Sequence, residues 1–203
     1  MDMRDSGDGV EVVPTRPSDE RLLFEPNIPL NGRISEEQTL PYFLDRLRAL
    51  RDGNDDMILE LNTAGGDADA ACRIALEIRL FIKHSGKKAY CVGKTVVYSA
   101  GITILAAFPK SARFLTEDTV LLIHERRLEK SLKLKGPLKS CIQIVSEQLH
   151  SLETARAQEL EGFRQLTEGS LLDVDELYKR ATKNCYLPAA EALRLGLVGG
   201  VLS

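Results

Sequence analysis

The length, composition and charge of the chain exclude several classes of protein before any motif is considered. It has 203 residues, 43% of them hydrophobic, which fits one domain with a large core. The formal net charge is −3 and the basic residues are scattered, so nucleic acid is not expected as a partner. The strongest apolar stretch, residues 102–108, is far shorter than the ~20 residues that cross a bilayer, so no membrane association is expected either.

The first twenty residues contain acids and prolines but no apolar segment, which is not the pattern of a secretory signal. We interpret residues 1–20 as a mobile arm and residues 21–203 as a single domain, and we expect a cytoplasmic protein. The four cysteines include no CxxC pair and are expected to be reduced. With only three histidines in the chain, no metal site is expected, and no cofactor is indicated.

Helical and strand patterns alternate along the rest of the chain, which predicts an α/β fold in which helices cover a mainly parallel sheet. The pattern indicates, in chain order, a helix over 36–51 with Ser35 as its N-cap, a strand over 57–61, a helix over 68–83, a strand over 89–92, a buried helix directly after Ser99, strands over 112–115 and 120–123, helices over 138–168 and 174–180, an alternating segment over 185–187, a helix over 188–195 and a strand near 197–202.

Chemically useful groups stand at the ends of the predicted strands, where α/β sheets carry their functional residues. Ser99 lies between a strand and the start of a helix, a position that exposes the hydroxyl and points backbone N–H groups at a developing oxyanion. The Gly65-Gly66 turn can supply a second N–H without a side chain in the way. His124 ends an apolar strand and can take the proton of a serine hydroxyl. Each feature alone has an ordinary explanation, since a serine before a helix is most often an N-cap.

The ordered set of motifs is more specific than any one of them. N-T-A-G-G, Y-S-A-G followed by L-A-A, V-L-L-I-H and Y-L-P-A-A-E-A-L-R-L-G-L-V occur in this order. The set resembles the proteolytic subunit of the Clp protease, the ClpP family of serine peptidases, over nearly everything outside the arm. The resemblance implies that Ser99 is the nucleophile, His124 the general base, and the N–H groups of Gly66 and Ala100 the oxyanion hole.

The same resemblance implies a fold and partners. The fold would be the ClpP/crotonase α/β spiral, with the segment 138–168 as a long handle helix. Substrates would be peptides or unfolded proteins, and the subunits would assemble into rings, as a heptamer or a double ring. An AAA+ Clp ATPase would feed the rings, since the chain has no Walker A motif of its own.

The chain departs from the family pattern at the third catalytic residue. The usual Asp aligns with Asn184, whose amide oxygen can hold an imidazole but brings no charge to it. Asp173 and Asp175 lie nearby in sequence and are alternatives for the same role.

Two further departures concern the surroundings of the site. The segment from Gly93 to Ser99 is two residues longer than the family's. The extended segment 125–137 is rich in basic residues, which form a solvated face or else favour acidic peptides.

Three functions are therefore compatible with the sequence. A serine endopeptidase of full or reduced activity is the expectation, because Ser99 and His124 are both retained. A catalytically weak or silent subunit of a mixed ring is the alternative, and Asn184 supports it. A crotonase-like acyl-CoA enzyme is the distant alternative, since that class does not need a serine and a histidine at these positions.

Overall fold

The computed structural model describes Pro17 and residues 20–203. The predicted arm, residues 1–20, lies almost wholly outside the described residues, so it stays a prediction. In the described part, seven strands run as β1 Ile28–Asn31, β2 Met57–Thr63, β3 Ala89–Tyr98, β4 Arg113–Thr116, β5 Val120–Ile123, β6 Cys185–Pro188 and β7 Gly200–Leu202. The α-helices there are α1 Thr39–Asp52, α2 Ala68–His84, α3 Ala100–Ala106, α4 Leu138–Thr167, α5 Val174–Ala181 and α6 Ala189–Arg194.

The strands form one sheet in the order β1-β2-β3-β4-β7, with all of these neighbours parallel. β3 forks: its first half pairs with β4 and its second half with β5, and β6 then pairs antiparallel with β5. Helices cover this sheet around one apolar core. The predicted fold class is confirmed: an α/β spiral of short, mainly parallel strands with a long handle helix, α4, of 30 residues.

β3 is longer than the sequence pattern indicates. The pattern predicts a strand that ends at residue 92 and a loop after it, which is wrong, since the strand continues to Tyr98. Between the pairs Leu61–Gly93 and Thr63–Val97, β3 holds two more residues than β2. The surplus forms a bulge, which bends one strand of a pair while the ladder continues on both sides.

The first strand and the first helix also differ from expectation. β1 was not predicted, because its four residues include a proline and give too short a pattern. α1 begins at Thr39 rather than residue 36. The hydroxyl of Ser35 still accepts the N–H groups of Gln38 and Thr39, at 3.2 and 3.4 Å, so it caps the turn that leads into the helix.

A buried arginine joins the elements behind the site. Arg113 is 2% exposed, and burial lowers its pKa to about 10, so it is charged at neutral pH. Its guanidinium donates hydrogen bonds to the carbonyl groups of Ala106, Phe108, Gln165, Leu166 and Leu197. The ends of α3 and α4 are thus fixed to each other and to the chain before β7. Nothing in the sequence pattern indicated this role.

Candidate active site

Ser99 occupies a sharp turn between β3 and α3. Its backbone has φ 54° and ψ −115°, a conformation that a residue with a side chain adopts only when its surroundings impose it. The surroundings here are two hydrogen bonds: Ser99 N–H donates to Leu122 O and Ile102 N–H donates to Ser99 O, both at 2.9 Å. The Ser99 hydroxyl makes no capping bond to α3 in the described structure, so the ordinary N-cap explanation does not apply.

The glycine turn after β2 lies directly against Ser99. Gly65 has φ 101°, and a Cβ added there would lie 2.8 Å from Ser99 Cβ and 3.3 Å from Ser99 Oγ. Only a residue without a side chain allows this approach. The sequence pattern indicates this turn as a donor of N–H groups, and its close approach to Ser99 is a second reason for glycine.

The N–H of Gly66 is available because of how the turn pairs with Ile34. Ile34 N–H donates to Gly65 O at 3.0 Å, and Asp67 N–H donates to Ile34 O at 2.9 Å. In such a parallel bridge the middle residue, Gly66, uses neither of its own groups. A Cβ on Gly66 would clash with the Ile34 carbonyl, so glycine is needed here for the fold as well.

Ala100 provides the other predicted N–H. As the first residue of α3, it has no helical acceptor for this group. Within the described residues, neither Gly66 nor Ala100 has an acceptor for its N–H. Both groups are therefore free to bind an oxyanion.

His124 directly follows β5, the strand that holds Ser99 in place. The parallel register pairs Tyr98 with Leu122, which brings Ser99 and His124 to the same end of adjacent strands. The two side chains line one cavity of about 50 Å³. The rest of its lining consists of Ala68, Ile102, Thr103, Ile123, Arg126, Gln158, Glu159, Gly162 and Phe163.

The hydroxyl of Ser99 and the ring of His124 line the same cavity but are not hydrogen-bonded to each other. No hydrogen bond joins them within the described residues. Catalytic hydrogen bonds are often long in the free enzyme and shorten when substrate binds. The absence of a Ser99–His124 hydrogen bond is therefore compatible with a nucleophile and its base.

A backbone carbonyl orients His124. His124 Nδ1 lies 2.6 Å from Glu125 O, and because a carbonyl can only accept, Nδ1 carries the proton. The lone pair of the neutral ring is therefore on Nε2. The hydroxyl of Tyr178 donates to the Glu125 carboxylate at 2.8 Å, which raises the pKa of Tyr178. Arg126 N–H donates to Glu159 at 2.5 Å, so the segment after His124 is fixed on both sides.

Asn184 lies beside His124 in the sheet but is not bonded to it. The antiparallel pair Ile123–Cys185 makes His124 and Asn184 the next two residues across the ladder. Asn184 leaves the ladder because its φ is 59° and its N–H donates to Ala181 O. Its side chain is exposed and makes no hydrogen bond to His124 in the described structure.

The alternative carboxylates are engaged in or near α5. Asp173 is the N-cap of that helix and accepts the N–H of Glu176 at 2.7 Å. Asp175 lies in the first turn. The structure brings neither of them into a hydrogen bond with His124.

The described residues contain no cluster of three or more His, Cys, Asp or Glu side chains that could hold a metal ion. None of the helices there combines the length and the apolar character that a membrane span requires.

A serine at a strand-to-helix turn, a histidine on the adjacent strand and two free N–H groups form an arrangement that acyl-transfer hydrolases use. The chain belongs to the Clp protease family, whose model matches residues 16–203. It is therefore a peptidase of the ClpP type.

A solved structure supports the same fold. The chain is similar to an asparagine-to-aspartate mutant of ClpP1 from Listeria monocytogenes, with a TM-score of 0.70 and 23% sequence identity. The match covers 91% of this chain and 95% of that one.

Proposed function

We propose that this chain is a serine endopeptidase subunit in which Ser99 attacks the peptide carbonyl and His124 is the general base. The observation that supports this most is the shared cavity: Ser99 and His124 line it together, and the strained Ser99 turn leaves the hydroxyl free of any capping bond. Strain at a single residue that the fold holds in place is typical of functional sites.

The reaction follows from these groups. His124 Nε2 takes the Ser99 proton as Oγ bonds to the carbonyl carbon, and the electron pair of the C=O bond moves to oxygen. The N–H groups of Gly66 and Ala100 stabilise that oxyanion. The imidazolium then gives its proton to the leaving amine as the C–N bond breaks. Water, deprotonated by His124, hydrolyses the acyl-serine in the same way.

We assign the orientation of His124 in the free subunit to the Glu125 carbonyl. A carbonyl selects the correct tautomer, but as a neutral group it stabilises the imidazolium less than a carboxylate does. Asn184 remains the candidate third residue on resemblance and on its place beside His124. Turnover should accordingly be low but measurable.

We further propose that the subunit assembles into rings. α4 exposes apolar side chains at alternating spacings of four and three residues, the spacing by which helices pack on one another. These side chains are Leu138, Ile142, Val145, Leu149 and Leu152, with exposed fractions of 82, 66, 44, 53 and 48%. A second copy of the chain would cover this stripe. Family membership supports a Clp ATPase as partner and unfolded protein as substrate. The cytoplasm stays the expected location.

A silent subunit of a mixed ring is the second candidate. The unmade Ser99–His124 hydrogen bond and the exposed Asn184 favour it. Covalent trapping of Ser99 distinguishes the two candidates.

The test is covalent trapping by a fluorophosphonate, which reacts only with an activated serine. We expect one label per subunit, located on Ser99 by peptide mass analysis. Ser99→Ala should remove the label, and His124→Ala should slow labelling strongly while the fold is kept. A folded wild-type ring that never labels would contradict the peptidase proposal and favour the silent subunit.

A further inference from the structure

Gly162 is an unexpected residue in the interior of α4. The helix extends from Leu138 to Thr167, so this glycine is far from either end. Only proline is less favourable than glycine inside a helix, because glycine loses the most backbone freedom on folding. Its presence needs a local reason.

Two common reasons for glycine do not apply. Gly162 is absent from the glycines with positive φ, so its backbone angles are open to any residue. A Cβ built on Gly162 would have no heavy atom within 4 Å, so no neighbour excludes a side chain. The remaining reason is the space that the missing side chain leaves.

That space borders the candidate active site. Gly162 lines the cavity that Ser99 and His124 share, and the apolar Ile102 and Phe163 line it too, with Arg126 and Glu159 among its polar members. The cavity measures about 50 Å³, so it is narrow. A methyl group on Gly162 would take part of that space.

The wall around Gly162 cannot easily move away. Glu159, three residues earlier on α4, accepts the Arg126 N–H at 2.5 Å. Phe163 packs on Tyr178, with ring centroids 6.3 Å apart. A methyl group on Gly162 would reduce the cavity rather than displace α4.

We propose that Gly162 is a specificity-determining residue. By lacking a side chain, it leaves room beside Ser99 for the side chain that precedes the scissile bond, and it restricts that side chain to short apolar groups between alanine and valine in size. This inference rests on the proposed function, because it needs an acyl group bound at Ser99.

The test compares Gly162→Ala with the wild type on p-nitrophenyl esters whose acyl chains are acetyl, butyryl and hexanoyl. The wild type should prefer butyryl to hexanoyl. In Gly162→Ala, kcat/KM for butyryl should fall about tenfold or more, as expected when a methyl group fills a small pocket, and that for acetyl should change less than about twofold. Ser151→Ala, on the exposed face of the same helix, is the matched control and should leave the preference unchanged.

A stability measurement separates this role from a structural one. Alanine is the better helix former, so Gly162→Ala should raise Tm by about 2–4 °C while it narrows the substrate range. If Gly162→Ala is labelled by fluorophosphonate and hydrolyses all three esters like the wild type, the inference is overturned but the proposed function stands. An equal loss on all three esters also overturns it. A wild type that neither labels nor hydrolyses overturns both.

Discussion

Replacing Asn184 by aspartate tests how His124 is oriented. Asn184 has φ 59°, a left-handed conformation that both Asn and Asp adopt more readily than other side chains, so Asn184→Asp should fold normally. The new carboxylate would lie beside His124 in the sheet, where it can stabilise the imidazolium that forms when Ser99 loses its proton. We therefore expect turnover to increase.

The size of the gain follows from the exposure of Asn184. An exposed ion pair contributes roughly 0.2–1 kcal/mol, which corresponds to a rate increase of about 1.4- to 5-fold. An aspartate buried against the histidine of a triad is worth far more, about 10⁴-fold in turnover. The rate gains expected for an exposed and for a buried aspartate differ greatly, so the measured gain shows whether residue 184 is exposed or buried against His124 during catalysis.

The assay is kcat for p-nitrophenyl butyrate between pH 5 and 9, for wild type and Asn184→Asp. Asn54→Asp, which changes the charge equally at an exposed site in the α1–β2 connection, is the control and should have no effect. A gain above about 100-fold would refute this reasoning, because it requires Asn184 to move into contact with His124. A loss would also refute it, since the amide of Asn184 would then be in use.

Two other substitutions test contacts that support the site. Tyr178→Phe keeps the packing of the ring but removes the hydrogen bond to Glu125; we expect kcat to fall by about 2- to 5-fold with little change in Tm, and an unchanged kcat would mean that Glu125 needs no anchor. Arg113→Met leaves five carbonyl groups without their buried donor, so we expect a loss of about 3–5 kcal/mol in the free energy of unfolding, measured in urea. Arg194→Met, at an exposed ion pair, should leave the urea midpoint almost unchanged, and equal effects of the two would contradict the role given to Arg113.

The order of most elements could be predicted from the sequence because their apolar residues recur with a clear helical or strand period. α2 begins at Ala68 as predicted, since Asp67 caps it and apolar residues recur at helical spacing. β5 has the predicted bounds, Val120–Ile123. β3 was predicted too short because Lys94 and Thr95 interrupt the apolar run, and a bulge leaves no periodic signal.

The candidate site could be predicted in part. Ser99, His124 and the glycine turn were identifiable because motifs place them at strand ends. The contact between His124 and the Glu125 carbonyl was not, because any residue can provide a backbone carbonyl. The hydrogen bond from Tyr178 to Glu125 joins segments 53 residues apart, a pairing that no local pattern encodes.

The bulge in β3 has a consequence for how this chain is aligned with its relatives. Before the bulge β3 is held by β2 and β4, and after it by β5 and the last residue of β2, so each half of the strand has its own set of neighbours. Because the two surplus residues lie between these ladders, Ser99 N–H still donates a hydrogen bond to Leu122 O, at 2.9 Å. An alignment that preserves both sets of partners must therefore place any difference in length within the bulge, at Lys94–Thr95.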